Sequence, residues 1–173
     1  LEFKKQCIWI LISIPIMITV IFIDYNLIAR FSPYLYGISI ILLIAVLFTG
    51  AINGATSWFD IGFFAFQPAE LAKVLMVIFL SVVIVNIQKR SKSEVNRLPK
   101  LAIIIGTAFL PILLIVMQPD YGTAIAYLVS LVLILFVAGI DKKYIIISIT
   151  ILAIALPLMY FFVLPEHAKS RID

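Results

Sequence analysis

The sequence predicts an all-α, polytopic integral membrane protein with about six transmembrane helices, and three observations carry that prediction. Of the 173 residues, 64% are hydrophobic and 13% charged, with mean hydropathy +1.21; soluble domains run nearer half apolar and a quarter charged. The 22 charged side chains, 13 Lys and Arg with 9 Asp and Glu, are too few to cover the wet surface that a globule of this length must keep. They also gather in short segments between long apolar runs, each near the length needed to cross roughly 30 Å of hydrocarbon.

Six such runs cover residues 7–23, 34–49, 68–87, 101–117, 122–139 and 144–164. The first ends at Asp24, and the break before the second holds Arg30 and Pro33. The second is followed by residues 50–67, with three glycines and Trp58. The third starts on Pro68, and proline suits a first helical turn, where its missing N–H has no partner to lose. Residues 88–100 are the most polar stretch of the chain. Gln118-Pro119-Asp120 and residues 139–143 are tight turns, and Pro165 closes the last run. Pro15, Pro111 and Pro157 fall inside runs, where a kink is tolerated if a neighbouring helix satisfies the freed carbonyl.

The whole chain, residues 1–173, reads as a single transmembrane domain. It opens on Leu1 rather than Met and closes just after the last run, so a piece of a longer protein is expected; no signal peptide is recognisable. A lone Cys7 excludes an internal disulfide and reads as a small apolar helix residue. One histidine, His167, without a Cys/His cluster offers no zinc site. The net charge of +4 is not the footprint of a nucleic-acid partner, because in a membrane protein the position of Lys and Arg matters more than their sum.

That position sets an orientation. The segments after runs one, three and five carry eight cations: Arg30; Lys89, Arg90, Lys92, Arg97 and Lys100; Lys142 and Lys143. The two ends carry four, Lys4, Lys5, Lys169 and Arg171, and Lys73 lies inside a run. The positive-inside rule therefore places 24–33, 88–100 and 139–143 in the cytoplasm, with 50–67, 118–121 and both ends outside.

Ionisable residues within a span cost at least ~2.5–3.5 kcal/mol on insertion scales and so invite a functional reading. Glu70 and Lys73 qualify, within Gln67-Pro68-Ala69-Glu70-Leu71-Ala72-Lys73. Glu70 falls in the first helical turn, where the helix dipole favours an anion, and the i,i+3 spacing puts both side chains on one face. They form either a structural ion pair or a polar wall of an outward-opening cavity. The second cluster, Gln118-Pro119-Asp120-Tyr121-Gly122-Thr123, sits at the same membrane face. Asp120 there is either a helix cap or part of one crevice with Gln67, Glu70, Lys73 and Gln118. Trp58 reads either as an interfacial anchor or as a lid over a polar lipid head group. Asp60 reads as a solvated loop charge, and most of Phe22, Tyr25, Tyr34, Tyr36 and Tyr160 as the aromatic belt.

Asn53-Gly54-Ala55 with Trp58, then Phe66-Gln67-Pro68-Ala69-Glu70-Leu71-Ala72-Lys73, then Gln118-Pro119-Asp120-Tyr121-Gly122-Thr123-Ala124 resemble the shape, elongation, division and sporulation (SEDS) family. That family includes RodA, FtsW and SpoVE, and its patterns read NGA-x-x-W, FQP-S-E-x-x-K and QPD-x-GT. The order agrees, and the wording of Gln118-Pro119-Asp120 and of residues 167–172 lies nearer RodA. Ala69 stands where the family often has Ser, and Ser57 where many members have Arg.

The resemblance implies that these are spans two to seven of a roughly ten-span protein. It implies a peptidoglycan glycosyltransferase polymerising lipid II at the outer face of the bacterial cytoplasmic membrane, for elongation, cell shape or division. A class B penicillin-binding protein would be its partner, beside membrane lipids. The catalytic carboxylate is expected in the outer loop beyond residue 173, so the chain alone is expected to be inactive. The chemistry needs a base for the acceptor hydroxyl and positive charge near the leaving diphosphate. Lys73 can supply that charge, or a divalent cation held by Glu70 and Asp120; no other cofactor is expected. Two other readings compete. A lipid II flippase would use intramembrane charge equally well, but no matching charged cluster lies deep in the inner half. A non-catalytic scaffold of the cell-wall complex would show small-xxx-small helix faces, and the clear run, residues 51–55, is in a loop.

Overall fold

Five helices run through the described residues of the chain: α1 (Glu2–Ile21), α2 (Tyr25–Val46), α3 (Pro68–Gln88), α4 (Leu98–Met117) and α5 (Tyr121–Val137). A sixth, α6, is helical from residue 142 to 150. The structure, a computed structural model, describes residues 2–49, 56–60 and 65–150. Asn53-Gly54-Ala55, the last run beyond residue 150 with Pro157 and Tyr160, and residues 165–173 lie outside the described residues. Helices α2, α3 and α4 are each long and apolar enough to cross a membrane, while Gln6–Ile21 and Tyr121–Val137 are apolar and shorter. The architecture is all-α, with a two-residue hairpin, β1 (Phe59–Asp60) and β2 (Ala65–Phe66), leading into α3.

Most boundaries fall within three residues of the sequence expectation, and two differ by more. α1 begins at Glu2 rather than residue 7, and α2 begins at Tyr25, so the break expected at 24–33 shrinks to residues 22–24. Asp24 causes the early start: its Oδ1 accepts from the Asn26 amide at 2.8 Å and caps the first turn. Pro33 does not stop the helix. Lacking an N–H, it leaves the Ala29 carbonyl without its usual partner, and the Ser32 hydroxyl donates to that carbonyl at 2.8 Å. Arg30 thus lies in the second turn of α2.

α3 sits in the middle of the bundle and packs on α2, α4 and α5. Leu43, Met76, Leu80, Ile104 and Ile115 are fully buried between the helices. Small residues, Ala69, Ala72, Ala108 and Ala124, join the same core, where they let helix backbones approach closely, the packing that membrane bundles favour. Large apolar side chains point outward: Ile41, Val85, Phe109 and Leu133 are 57–65% exposed. That surface would aggregate in water and suits lipid. α1 is apolar on most sides, with Leu11 and Ile21 about 70% exposed.

Several polar side chains inside the bundle donate to backbone carbonyls of other helices. Pro111 lies within α4 and deprives the Thr107 carbonyl of its i+4 donor; Tyr36 of α2 donates its hydroxyl there at 2.6 Å. The Tyr36 ring stacks on Phe79 of α3, centroids 4.7 Å apart. Tyr36 is therefore a bundle residue, not part of the aromatic belt, whereas Phe22, Tyr25 and Tyr34 are 71–84% exposed. At the end of α2 the Leu47 amide turns to the Ile44 carbonyl, and Gln118 Nε2 donates to the Leu43 carbonyl at 3.1 Å.

α5 ends on Gly139, whose φ of +76° is the left-handed conformation that favours glycine. Gly139 N–H donates to Phe136 O and Ile140 N–H to Leu135 O, and Ile140 and Leu135 pack in the shared core.

Candidate substrate-binding site

The site grows from the starts of α3 and α5. The hairpin pairs Phe59 with Phe66, so Trp58 and Gln67 follow on neighbouring strands, one step beyond the ladder. Gln67 occupies the N-cap position of α3 without making a side-chain cap bond, which leaves its amide free to reach across. It donates to Asp120 Oδ2 at 2.6 Å, with Thr123 Oγ1 at 3.5 Å. The other Asp120 oxygen accepts from the Thr123 amide at 3.2 Å and caps α5. Asp120 is thus both a helix cap and the partner of Gln67. One turn along, fully buried Tyr127 of α5 donates its hydroxyl to the Ala69 carbonyl of α3 at 2.6 Å.

These bonds hold two helix N-termini side by side. Each turns the positive end of its dipole to this end of the bundle; Pro68 has no N–H to offer, and the Glu70 and Thr123 amides are already bonded to Gln67 O and Asp120 Oδ1. Lys73 adds a full charge on the face of α3 that carries Glu70. Its Nζ lies 3.0 Å from both Glu70 oxygens, with the Lys73 side chain 25% exposed and that of Glu70 58%. The pair is therefore open to its surroundings rather than sealed in the core, and Glu70 fixes where the ammonium stands.

Among the residues singled out from sequence, the structure brings Gln67 together with Asp120 and Glu70 with Lys73. Gln118 turns the other way: it is fully buried, faces α2, and its Oε1 has no hydrogen-bond partner. Trp58 is half-buried, and its carbonyl accepts from Thr49 Oγ1 at 3.4 Å. Glu70 and Asp120 have different partners, and among the described residues no three His, Cys, Asp or Glu side chains converge as a metal site. Lys73 is a positive charge that the site itself provides. Thr123 and Tyr127 complete the α3–α5 junction. Their signal in the sequence is the spacing 120, 123, 127, which places all three on one helical face.

A helical bundle with apolar outer walls, two of its helix N-termini tied together at one end, defines a multi-pass membrane protein. Over its whole length, residues 1–173, the chain matches the FtsW/RodA/SpoVE family of cell cycle proteins, and it belongs to that family. It is 34% identical to the peptidoglycan glycosyltransferase MrdB of Escherichia coli K12 over 94% of this chain and 43% of that protein. It is 32% identical to the peptidoglycan glycosyltransferase RodA of Treponema pallidum over 91% of this chain and 36% of that one. The crystal structure of the rod shape determining protein RodA of Thermus thermophilus superposes with a TM-score of 0.65 at 30% identity, covering 78% of this chain and 43% of that chain. A chain of a peptidoglycan synthase complex gives a TM-score of 0.77 at 25% identity, covering 98% of this chain and 49% of that one. The chain thus spans less than half the length of these relatives.

Proposed function

We propose that the protein to which this chain belongs is a peptidoglycan glycosyltransferase that polymerises lipid II at the outer face of the bacterial cytoplasmic membrane. The chain would supply spans two to seven of about ten and would work with a class B penicillin-binding protein as transpeptidase. Several relatives are named for this activity. The observation that carries the reading here is the Gln67–Asp120 bond, which joins the two motif segments into one site at a single end of the bundle.

In this reading the paired N-termini of α3 and α5 and the Lys73 ammonium face the diphosphate of lipid II, and the polyprenyl tail stays in the bilayer. As the glycosidic bond forms, negative charge grows on the leaving diphosphate, and a preorganised cation there stabilises the transition state more than the ground state. Glu70 holds Lys73 in place, and Trp58 lies over the entrance beside Gln67. Gln118 acts from behind, fixing the α4–α5 turn against α2. The general base belongs to the outer loop that follows these spans. Segments 88–100 and 139–143 lie in the cytoplasm in this orientation.

The test is glycan polymerisation by the purified full-length protein from lipid II, with no other polymerase present. Wild-type protein is expected to make glycan strands, and Lys73→Met to lose most of that product at unchanged abundance. Absence of any polymer from the wild-type protein, alone or with its penicillin-binding partner, would reject the assignment.

A further inference from the structure

The end of the bundle opposite the Gln67–Asp120 site is also a built surface. α3 starts at the site and ends 21 residues later at Gln88, which at 1.5 Å per residue is about 30 Å away. There, Gln88 Nε2 donates to the Ala138 carbonyl at the end of α5, at 2.7 Å. Asn96, in the 3-10 turn Lys92–Asn96, exchanges two bonds with Asp141: Nδ2 donates to the carboxylate at 3.0 Å, and the Asp141 amide donates back to Asn96 Oδ1 at 2.8 Å. Val95 is fully buried and Ile140 nearly so, both in the common core. Two segments 45 positions apart in the chain are thereby clamped into one surface.

That surface concentrates charge. Residues 88–100 and 138–143 hold seven cations and two carboxylates, a net +5, against +4 for the whole chain. Both carboxylates are already engaged, Glu94 by Arg97 at 2.9 Å and Asp141 by Lys143 at 3.5 Å as well as by Asn96. Lys89, Arg90, Lys92, Lys100 and Lys142 have no acidic partner among the described residues. Five like charges without acidic partners, gathered on two clamped segments, repel one another, so the surface calls for external anions. Its depth says which kind. Lys89 directly follows α3, Lys100 lies in the first turn of α4, and Lys142 opens α6. Charges within a residue or two of apolar spans stand at the level of lipid phosphates, not out in the water.

We propose that this clamped basic surface binds the head groups of anionic phospholipids in the adjacent leaflet, with the Asn96–Asp141 bonds holding its two halves at a fixed spacing. The inference is independent of the enzymatic reading, because it concerns the other end of the bundle.

The test is native mass spectrometry of the full-length protein released from nanodiscs of equal phosphatidylglycerol and phosphatidylcholine. Wild-type protein should retain phosphatidylglycerol selectively, and raised salt should weaken that retention. K89Q/R90Q/K92Q should lower it by about tenfold or more, from the attraction of each cation to an anionic surface. K92Q/K142Q, with one change in each half, reads the same effect should the triple variant express poorly. N96A, with every charge intact, should lower retention by a smaller factor. Equal retention of the two lipids, or wild-type retention by both charge variants, overturns the proposal. Wild-type retention by N96A overturns the role of the clamp. Inorganic phosphate binding without preference for the lipid, or an acidic peptide bound in place of it, would assign the surface to another anion and reject the head-group reading.

Discussion

Replacing Tyr36 with Phe tests the idea that a proline kink in one helix is satisfied by a donor from another. The phenyl ring keeps the stack on Phe79 at 4.7 Å, so the change isolates the hydroxyl that donates to Thr107 O at 2.6 Å. Losing a buried partner costs about 1–3 kcal/mol in general, while polar contacts within membrane bundles average about 0.6 and reach about 1.7. A carbonyl already stripped of its helical donor belongs near the upper end of that second range, so about 1–1.5 kcal/mol is expected. Pro111→Ala supplies the missing N–H to the same carbonyl. In that background Tyr36→Phe should cost no more than about 0.5 kcal/mol, a coupling of the size expected for groups sharing one partner. Thermal unfolding of the four proteins of the cycle in detergent measures both values. An equal cost of Tyr36→Phe in the two backgrounds would refute the reasoning and leave Tyr36 as a packing residue.

Asp120→Asn keeps an oxygen to cap α5 but replaces the oxygen that accepts from Gln67 with an amide that cannot, so normal abundance with a large loss of glycan product is expected; full activity would remove the Gln67–Asp120 bond from the site's function. Glu70→Gln should change stability by less than about 1 kcal/mol, since exposed ion pairs contribute little, yet reduce polymerisation by freeing Lys73; a large loss of folded protein would make the pair structural. Single cysteines at Lys92 and Lys142 should label only with reagents that reach the cytoplasm, and one at Asn53 from outside; outside labelling at position 92 would invert the orientation. Gly139→Ala forces a side chain into φ +76° and should lower stability by about 1 kcal/mol, read in the same unfolding assay.

The class and most helices were legible because hydropathy and length suffice for them: only helices and closed barrels keep their backbone bonded in lipid. The start of α2 was not, because Asp24 and Pro33 both read as breakers. In the folded chain one is a cap, and the other is tolerated through the Ser32 hydroxyl. The pairing of Glu70 with Lys73 was legible from i,i+3 spacing. That Gln67 and Asp120 share one site was suggested by their common membrane face, but the bond itself depends on α3 and α5 lying side by side, and periodicity is silent on neighbours.

Tyr36, Tyr127, Gln88 and Gln118 share a deeper reason for being hard to read. Each reaches across to the backbone carbonyl of another helix, and a carbonyl has no residue identity by which a sequence could announce it. What a sequence does record is the need for such a donor, at each proline within a span and at each helix end. Pro111 marks Thr107 O in this way, and the end of α2 marks Leu43 O; the donors are the polar side chains left over in otherwise apolar runs. The same logic separates Gln118 from its neighbour Asp120. Gln118 is spent on satisfying α2 inside the bundle, whereas Asp120 satisfies its own helix with one oxygen and leaves the other for the site. A Gln118→Leu change should therefore lower stability together with activity, and Asp120→Asn should separate the two.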